Sequence, residues 1–388
     1  MFSFFGGMVN SMDSSIIKDY AREHYEEIVA LIKDLCAIPA PSGSELARAE
    51  FCRDWLESIG AYAYIDSAYN CICPINAEGK DKLTVFVAHT DTVFPDTEPM
   101  PYSDDGQTLR APGVGDDTAS LAVMLLTVKF FVEKGLSLPR GVLFVANSGE
   151  EGLGNLKGTR QLFEDYKGRI SEFISFDSAI NKIANECVGS HRYNVKVKTE
   201  GGHSYLKFGN RSSIDILAEI ISEIYSITPP VIDGVSATYN VGTISGGTSV
   251  NTIAENAEML CEYRSQSAEC LRIMSERFKE IFEKPRREGS VTVELVGNRP
   301  CREGVDESEL NSLIEKCKNV VESVIGTEVT LGSSSTDCNI PLSLGIPAVS
   351  VGVYKGGGTH TRAEWVERAS LIPGLEICIN TVLTLTKE

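Results

Sequence analysis

The chain has 388 residues, 42% of them apolar and 23% charged, which supplies ample material for buried cores and excludes global disorder. A formal net charge of -18 argues against nucleic acid or anionic lipid as a partner, because both repel it. A chain of this length is expected to divide into two domains.

The opening MFSFFGGMVNSM has no Lys or Arg ahead of its short apolar stretch, so it lacks the charged start of an export signal and reads as an N-terminal extension. No apolar run reaches the ~18 residues of a membrane span. The 11 cysteines are odd in number and spread from Cys36 to Cys378, a pattern that suits reduced thiols in a cytoplasm better than a disulfide framework. Cys71 and Cys73 form a C-x-C pair, with no second pair at zinc-finger spacing.

Apolar positions at helical spacing predict an opening helix over 13–37, stopped by Pro39, Pro41 and Gly43. Strand-like runs then alternate with helical patterns: strands at 83–88, 142–147 and 173–176, and a helix near 118–135. This alternation predicts an α/β fold whose mainly parallel sheet is flanked by helices. From about 193 to 296 the order becomes strand, helix, strand, strand, helix, strand, which is that of a ferredoxin-like α+β unit. A helix near 310–325 and the apolar run PAVSVGV then resume the first pattern. The expected organisation is therefore one discontinuous domain, residues 1–191 and 299–388, with 192–298 inserted into it.

In open parallel sheets, ligands bind beyond the carboxyl ends of the strands. Four apolar runs end on polar residues of one chemical type: His89-Thr90-Asp91, Ser148-Gly149-Glu150-Glu151, Asp177, and, beyond a glycine stretch, His360. Gly115-Asp116-Asp117 opens the helix after the first run. Imidazole and carboxylate are ligands that zinc accepts, and one bridging carboxylate would let this set hold two ions. An extended backbone puts His89 and Asp91 on the same side, so Asp91 can orient the imidazole. Glu150 and Glu151 are adjacent and cannot point the same way; one can ligate metal while the other faces the attacking water. Taken singly, His89 reads as a histidine at a strand end, Glu150-Glu151 as solvated surface and Asp116-Asp117 as a turn. It is their joint placement that favours a metal site.

The order of motifs resembles the zinc-dependent family that contains peptidase T, carnosinase-related dipeptidase, aminoacylase and glutamate carboxypeptidase. The motifs are HTDTV at His89, APGVGDDTASLAVML, NSGEEGLGNLKG, FDSA, GGHS at His203, GGTSVNTIAENAEMLCEYRS, SSTDCNIPLSLGIP and GGGTHTRAEWVE. The resemblance implies two divalent metal ions, zinc first, with cobalt or manganese as substitutes. His89, Asp116 and Asp177 would hold one, and Asp116, Glu151 and His360 the other. Asp116 would bridge, Glu150 would be the general base, and the Asp116–Asp117 peptide would be cis. The inserted domain would be a lid and homodimerisation domain, in which His203 donates to the scissile carbonyl and Asn251 and Arg264 meet a substrate carboxylate. Thr118-Ala119 and Glu262 depart from the family's usual residues. At position 177 the family commonly has aspartate in its aminopeptidase-like and dipeptidase members and glutamate in its carboxypeptidase and deacylase members, so the expected substrate is a short peptide cut by a tripeptidase-type aminopeptidase. An N-acyl amino acid deacylase or a carboxypeptidase is the alternative within the family. A non-catalytic binding protein of the same fold would be expected to have lost Glu150 or a ligand, and none is missing. A serine-hydrolase reading fails for want of a G-x-S-x-G elbow.

Overall fold

The computed structural model describes residues 14–286 and 289–387, so the expected N-terminal extension lies outside the described residues. The chain forms two compact units, Met1–Cys187 with Gly304–Glu388, and Val188–Glu303. The span expected for the inserted domain, 192–298, lies within the second.

The first unit is built on an eight-stranded sheet. Its centre is four parallel neighbours in the order Gly141–Asn147, Leu83–His89, Ile170–Ser175 and Ala348–Val351. The first two are buried along their whole length, so their near-continuous runs of branched and aromatic residues face helices or loops on both sides of the sheet. Antiparallel strands flank this centre: Cys71–Ile75 on one side and Lys182–Cys187 on the other. The helix Ser120–Glu133 is apolar around nearly its whole circumference and correspondingly buried.

Three helices were not legible as amphipathic patterns. Leu46–Ser58 buries Arg48, Ala49, Cys52 and Leu56, a stripe too small and too polar to stand out. Lys157–Asp165 buries only Gly158, Thr159 and Leu162. Leu371–Leu385 is apolar on most sides and so shows no period. The expected single opening helix is instead two, Ser14–Glu23 and Tyr25–Cys36. The break falls at His24, whose backbone (φ -94, ψ 10) leaves the helical region and whose imidazole pairs with the Glu27 carboxylate at 2.7 Å.

The second unit has four antiparallel strands in the spatial order Thr238–Gly246, Asn256–Ser265, Gly189–Lys198, Ser290–Arg299. With the helices Ser213–Tyr225 and Ala268–Glu283 this is the ferredoxin-like arrangement. On Asn256–Ser265 the alternate residues Ala257, Met259, Cys261 and Tyr263 are buried, as a sheet covered on one face requires. Among the described residues no helix is long and apolar enough to cross a membrane.

The helix Leu371–Leu385 reaches the segment after the strand Ala348–Val351 so closely that a Cβ on Gly374 would lie 1.9 Å from the Val353 carbonyl oxygen. Alanine normally favours a helix over glycine by about 1 kcal/mol. Here Gly374→Ala is expected to destabilise by about 1–3 kcal/mol, because the helix and the Val353 main chain must separate. A lower urea midpoint in equilibrium unfolding checks this, and a raised midpoint contradicts it.

Candidate metal centre

The polar residues gather where the parallel strands end. His89 closes the strand Leu83–His89 and is buried. Its Nδ1 donates to the Asp91 main-chain carbonyl at 3.0 Å, with the Asp91 carboxylate at 3.5 Å. That bond fixes the tautomer and turns Nε2 toward Asp116 Oδ1 at 2.9 Å, the orientation a metal-binding imidazole requires. The other Asp116 oxygen, Oδ2, lies 3.1 Å from His360 Nε2. One carboxylate therefore spans two imidazoles, and His360 Nε2 is also 3.1 Å from Glu151 Oε1.

Three sets of candidate ligand atoms each fall within 4.8 Å of one another: His89, Asp116 and Asp177; Asp116, Glu151 and His360; and His89, Glu150 and Glu151. The first two share Asp116. All donors are imidazole nitrogen or carboxylate oxygen, a set suited to zinc and related divalent cations. His360 sits at φ 63, an uncommon backbone state for a non-glycine residue, on the loop that presents it. The Asp116–Asp117 peptide is cis.

Charge is shared unequally across this cluster. Burial alone would raise the Asp116 carboxyl, but hydrogen bonds with His360 and His89 hold it well below its usual range. Burial followed by the Asp116 charge pushes Asp177 up to about 7. Hydrogen bonds with Asp116 and Glu151 push His360 up to about 10. In His89, burial opposes the charge, yet the bonds to Asp116 and Asp91 raise it well above the ordinary histidine value.

Several supporting contacts were not read from sequence. Asp91 orients more than His89: its carboxylate accepts the Glu150 N–H at 3.0 Å, the Glu151 N–H at 2.9 Å and the Ser42 hydroxyl at 2.6 Å. Pro41, expected only to stop a helix, bridges to Thr92, and Ser42 beside it also reaches the Glu151 carbonyl at 3.1 Å. Asp117 accepts the His89 N–H at 3.0 Å. Glu45, wholly buried, pairs with Lys157 at 2.7 Å. The Lys157 stem packs against Gly149, where a Cβ would lie 2.5 Å from Lys157 Cγ. Apart from the Gly149–Lys157 packing, none of these contacts follows from local pattern, since each joins residues tens of positions apart.

The other expected site residues belong to the second unit. His203 is exposed, and its Nδ1 faces the Tyr205 and Leu206 N–H groups at 3.2 and 3.4 Å, which leaves Nε2 as the donor. Asn251 is close to it, since Gly202–His203 pairs with Thr252–Ile253. Arg264 lies at the opposite end of the strand Asn256–Ser265, and Glu262 engages its guanidinium through two bonds of 2.7 and 3.0 Å.

Residues 85–384 match the family profile described as Peptidase family M20/M25/M40. Solved structures with a similar fold include the following three. An aminopeptidase PepT from Bacillus cereus is 22% identical, with 93% of this chain and 98% of that one covered at a TM-score of 0.70. A metallo-carboxypeptidase of the M20 family from Sulfolobus solfataricus is 16% identical, with 93% and 99% covered at 0.72. The YXEP protein of Bacillus subtilis, described as a dinuclear metal binding peptidase, is 16% identical, with 94% and 99% covered at 0.63.

Because His360 is protonated up to about pH 10 in the metal-free chain, a cation that takes its Nε2 must displace that proton. Zinc affinity is therefore expected to rise with pH, with proton release. Calorimetric zinc titrations at about pH 6.5 and about 8.5, in buffers of different ionisation enthalpy, check it. Binding without proton release contradicts the assignment.

Proposed function

The chain belongs to peptidase family M20/M25/M40, and from that premise we propose a two-cation aminopeptidase that removes the N-terminal residue of short peptides, tripeptides ahead of N-acylated amino acids. The observation that carries the two-cation reading is the position of Asp116, one carboxylate shared by two ligand sets and flanked by His89 and His360. His89, Asp116 and Asp177 would hold one cation, and Asp116, Glu151 and His360 the other. Zinc suits this donor set best, with cobalt or manganese able to replace it. When bound, the cations supply Lewis-acid polarisation and lower the pKa of water.

The chain's own residues do the rest. Glu150 is the general base: its carboxylate takes a proton from the attacking water and delivers it to the leaving amine nitrogen. Its neighbour Glu151 is turned to His360, and Asp91 fixes the main chain of both. Asp91 thus has a positioning role toward His89 and toward the base. His203, with Nε2 free to donate, is the candidate partner for the oxyanion.

Aspartate rather than glutamate at position 177 favours the aminopeptidase direction over the deacylase and carboxypeptidase alternatives, and a carboxylate there can also receive a free α-amino group. Substrate-carboxylate binding by Asn251 and Arg264 calls for a homodimer through the second unit. Asn251 stands by the Gly202–His203 and Thr252–Ile253 pair and Arg264 near the far end of the strand Asn256–Ser265, a separation that supports contributions from two chains. A cytoplasmic setting fits the eleven cysteines, all buried and free.

Glu150→Gln is expected to lower kcat by at least about 10²-fold with metal content near normal, whereas Glu151→Gln lowers metal occupancy. Elemental analysis alongside turnover separates the two, and the reverse pattern would exchange their roles. The substrate test compares a free tripeptide with its N-acetylated and C-terminally amidated forms. Faster cleavage of the acetylated form overturns the aminopeptidase direction, and indifference to amidation removes Arg264 from substrate binding.

A further inference from the structure

Glu364 is almost wholly buried, yet it is neither one of the ligand candidates nor in hydrogen-bond contact with another side chain's charge. Its two oxygens accept three main-chain N–H groups of one loop. Oε2 takes Gly113 at 2.8 Å, and Oε1 takes Gly115 at 3.0 Å and Asp116 at 2.8 Å. A carboxylate has the lone pairs to satisfy three such donors. The loop is shaped to admit it. Gly113 takes a left-handed φ of 72, and a Cβ on Gly115 would lie 2.9 Å from Glu364 Oε1 and 2.8 Å from the Tyr354 ring.

The same segment carries His360. Between them the chain is tightly wound, with Thr361 N–H bonded to the Gly358 carbonyl at 2.9 Å and Glu364 N–H to the Thr361 carbonyl at 3.2 Å. Immediately beyond, the strand Trp365–Glu367 pairs with Thr108–Arg110, which leads into the loop that Glu364 holds. Segments 108–116 and 356–367 are thus joined three times: by strand pairing, by Glu364, and by His360 against Asp116.

We infer that Glu364 is a positioning residue that sets the Asp116–His360 geometry, and through it the Asp116/Glu151/His360 pocket in preference to the His89/Asp116/Asp177 pocket. The selectivity follows from which segments it joins. Two of the three ligands of the first-named pocket stand on segments that Glu364 ties together. In the other pocket only Asp116 does, while His89 closes a central strand and Asp177 follows another. The inference rests on the two-cation reading of the proposed function.

Glu364→Gln keeps one acceptor oxygen but turns an amide N–H₂ toward the Gly113 N–H, so part of the clamp is lost at nearly constant volume. The test is zinc titration of the full-length apo chain against a chromophoric chelator, with the apo thermal midpoint measured in parallel. The unsubstituted chain is expected to bind two equivalents. In Glu364→Gln one equivalent should weaken by at least about tenfold while the other stays within about threefold, as changes in residues supporting a ligand commonly do. Gly115→Ala, which crowds the same carboxylate, should repeat the split. Equal weakening of both equivalents with a lowered apo midpoint would make Glu364 merely structural and overturn the inference, as would unchanged binding of both. If the unsubstituted chain binds fewer than two equivalents, the two-cation reading fails first, and the inference with it.

Discussion

The site is organised by the burial of many carboxylates in one place. Asp91, Asp116, Asp117, Asp177, Glu150, Glu151 and Glu364 are buried or half-buried around the ends of parallel strands, on a chain already strongly acidic. Removing a carboxylate from water costs several kcal/mol unless it is paired or hydrogen-bonded. Two kinds of partner meet that cost in part. Asp91 and Glu364 accept main-chain N–H groups of neighbouring loops, Asp117 accepts the His89 N–H through one oxygen while the other has no hydrogen-bond partner among the described residues, and Asp116 and Glu151 lie against imidazoles. Burial still pushes Asp117, Asp177 and Glu364 toward the neutral form in the metal-free chain, Asp177 and Glu364 up to about 7. A cluster with this imbalance is a cation site in waiting, because positive charge relieves the repulsion that the fold imposes.

The division between the two kinds of carboxylate also explains how loops can carry a precise geometry. Loops are ordinarily the most variable parts of a fold. Here two of the ligand-bearing loops have their amides held by a buried acid from another segment. Asp91 fixes the Glu150–Glu151 turn, and Glu364 fixes the approach to Asp116. Ser42 and the Glu45–Lys157 pair extend the support for the Glu150 turn outward. The ligands are therefore arranged before any cation arrives, which reduces the reorganisation that binding would otherwise require.

The second unit follows different rules. Its core is its own, with Ile216, Leu217, Ile220, Met259, Tyr263 and Phe278 packed between two helices and one face of an antiparallel sheet. Its functional candidates are exposed or half-exposed rather than buried, and Arg264 is already engaged by a neighbouring glutamate. Binding a substrate carboxylate there means displacing Glu262 from a bidentate pair, so the free carboxylate must match that geometry to compete. In the proposed reading, substrate preference would rest on weaker and more easily altered interactions than those that form the metal centre.

Much of the centre was legible in the chain itself. His89, Glu150, Glu151 and Asp177 follow apolar β-runs, and period and residue type are local properties that determine where such runs end. The ferredoxin-like order of the inserted segment was legible for the same reason, and so was the helix after Asp116. The break at His24 and the helix Leu46–Ser58 were not, because the first depends on one backbone angle and the second buries an arginine and small residues. Nor could sequence pair Asp91 with the Glu150 and Glu151 amides, or Glu364 with Gly113, Gly115 and Asp116, contacts that span up to 251 positions. The sequence by itself determined which groups could bind a cation and on which strand ends they would sit. Only the tertiary structure decided which acids face imidazoles and which face main-chain amides, because that depends on hydrogen-bond directions between segments that local periodicity does not encode.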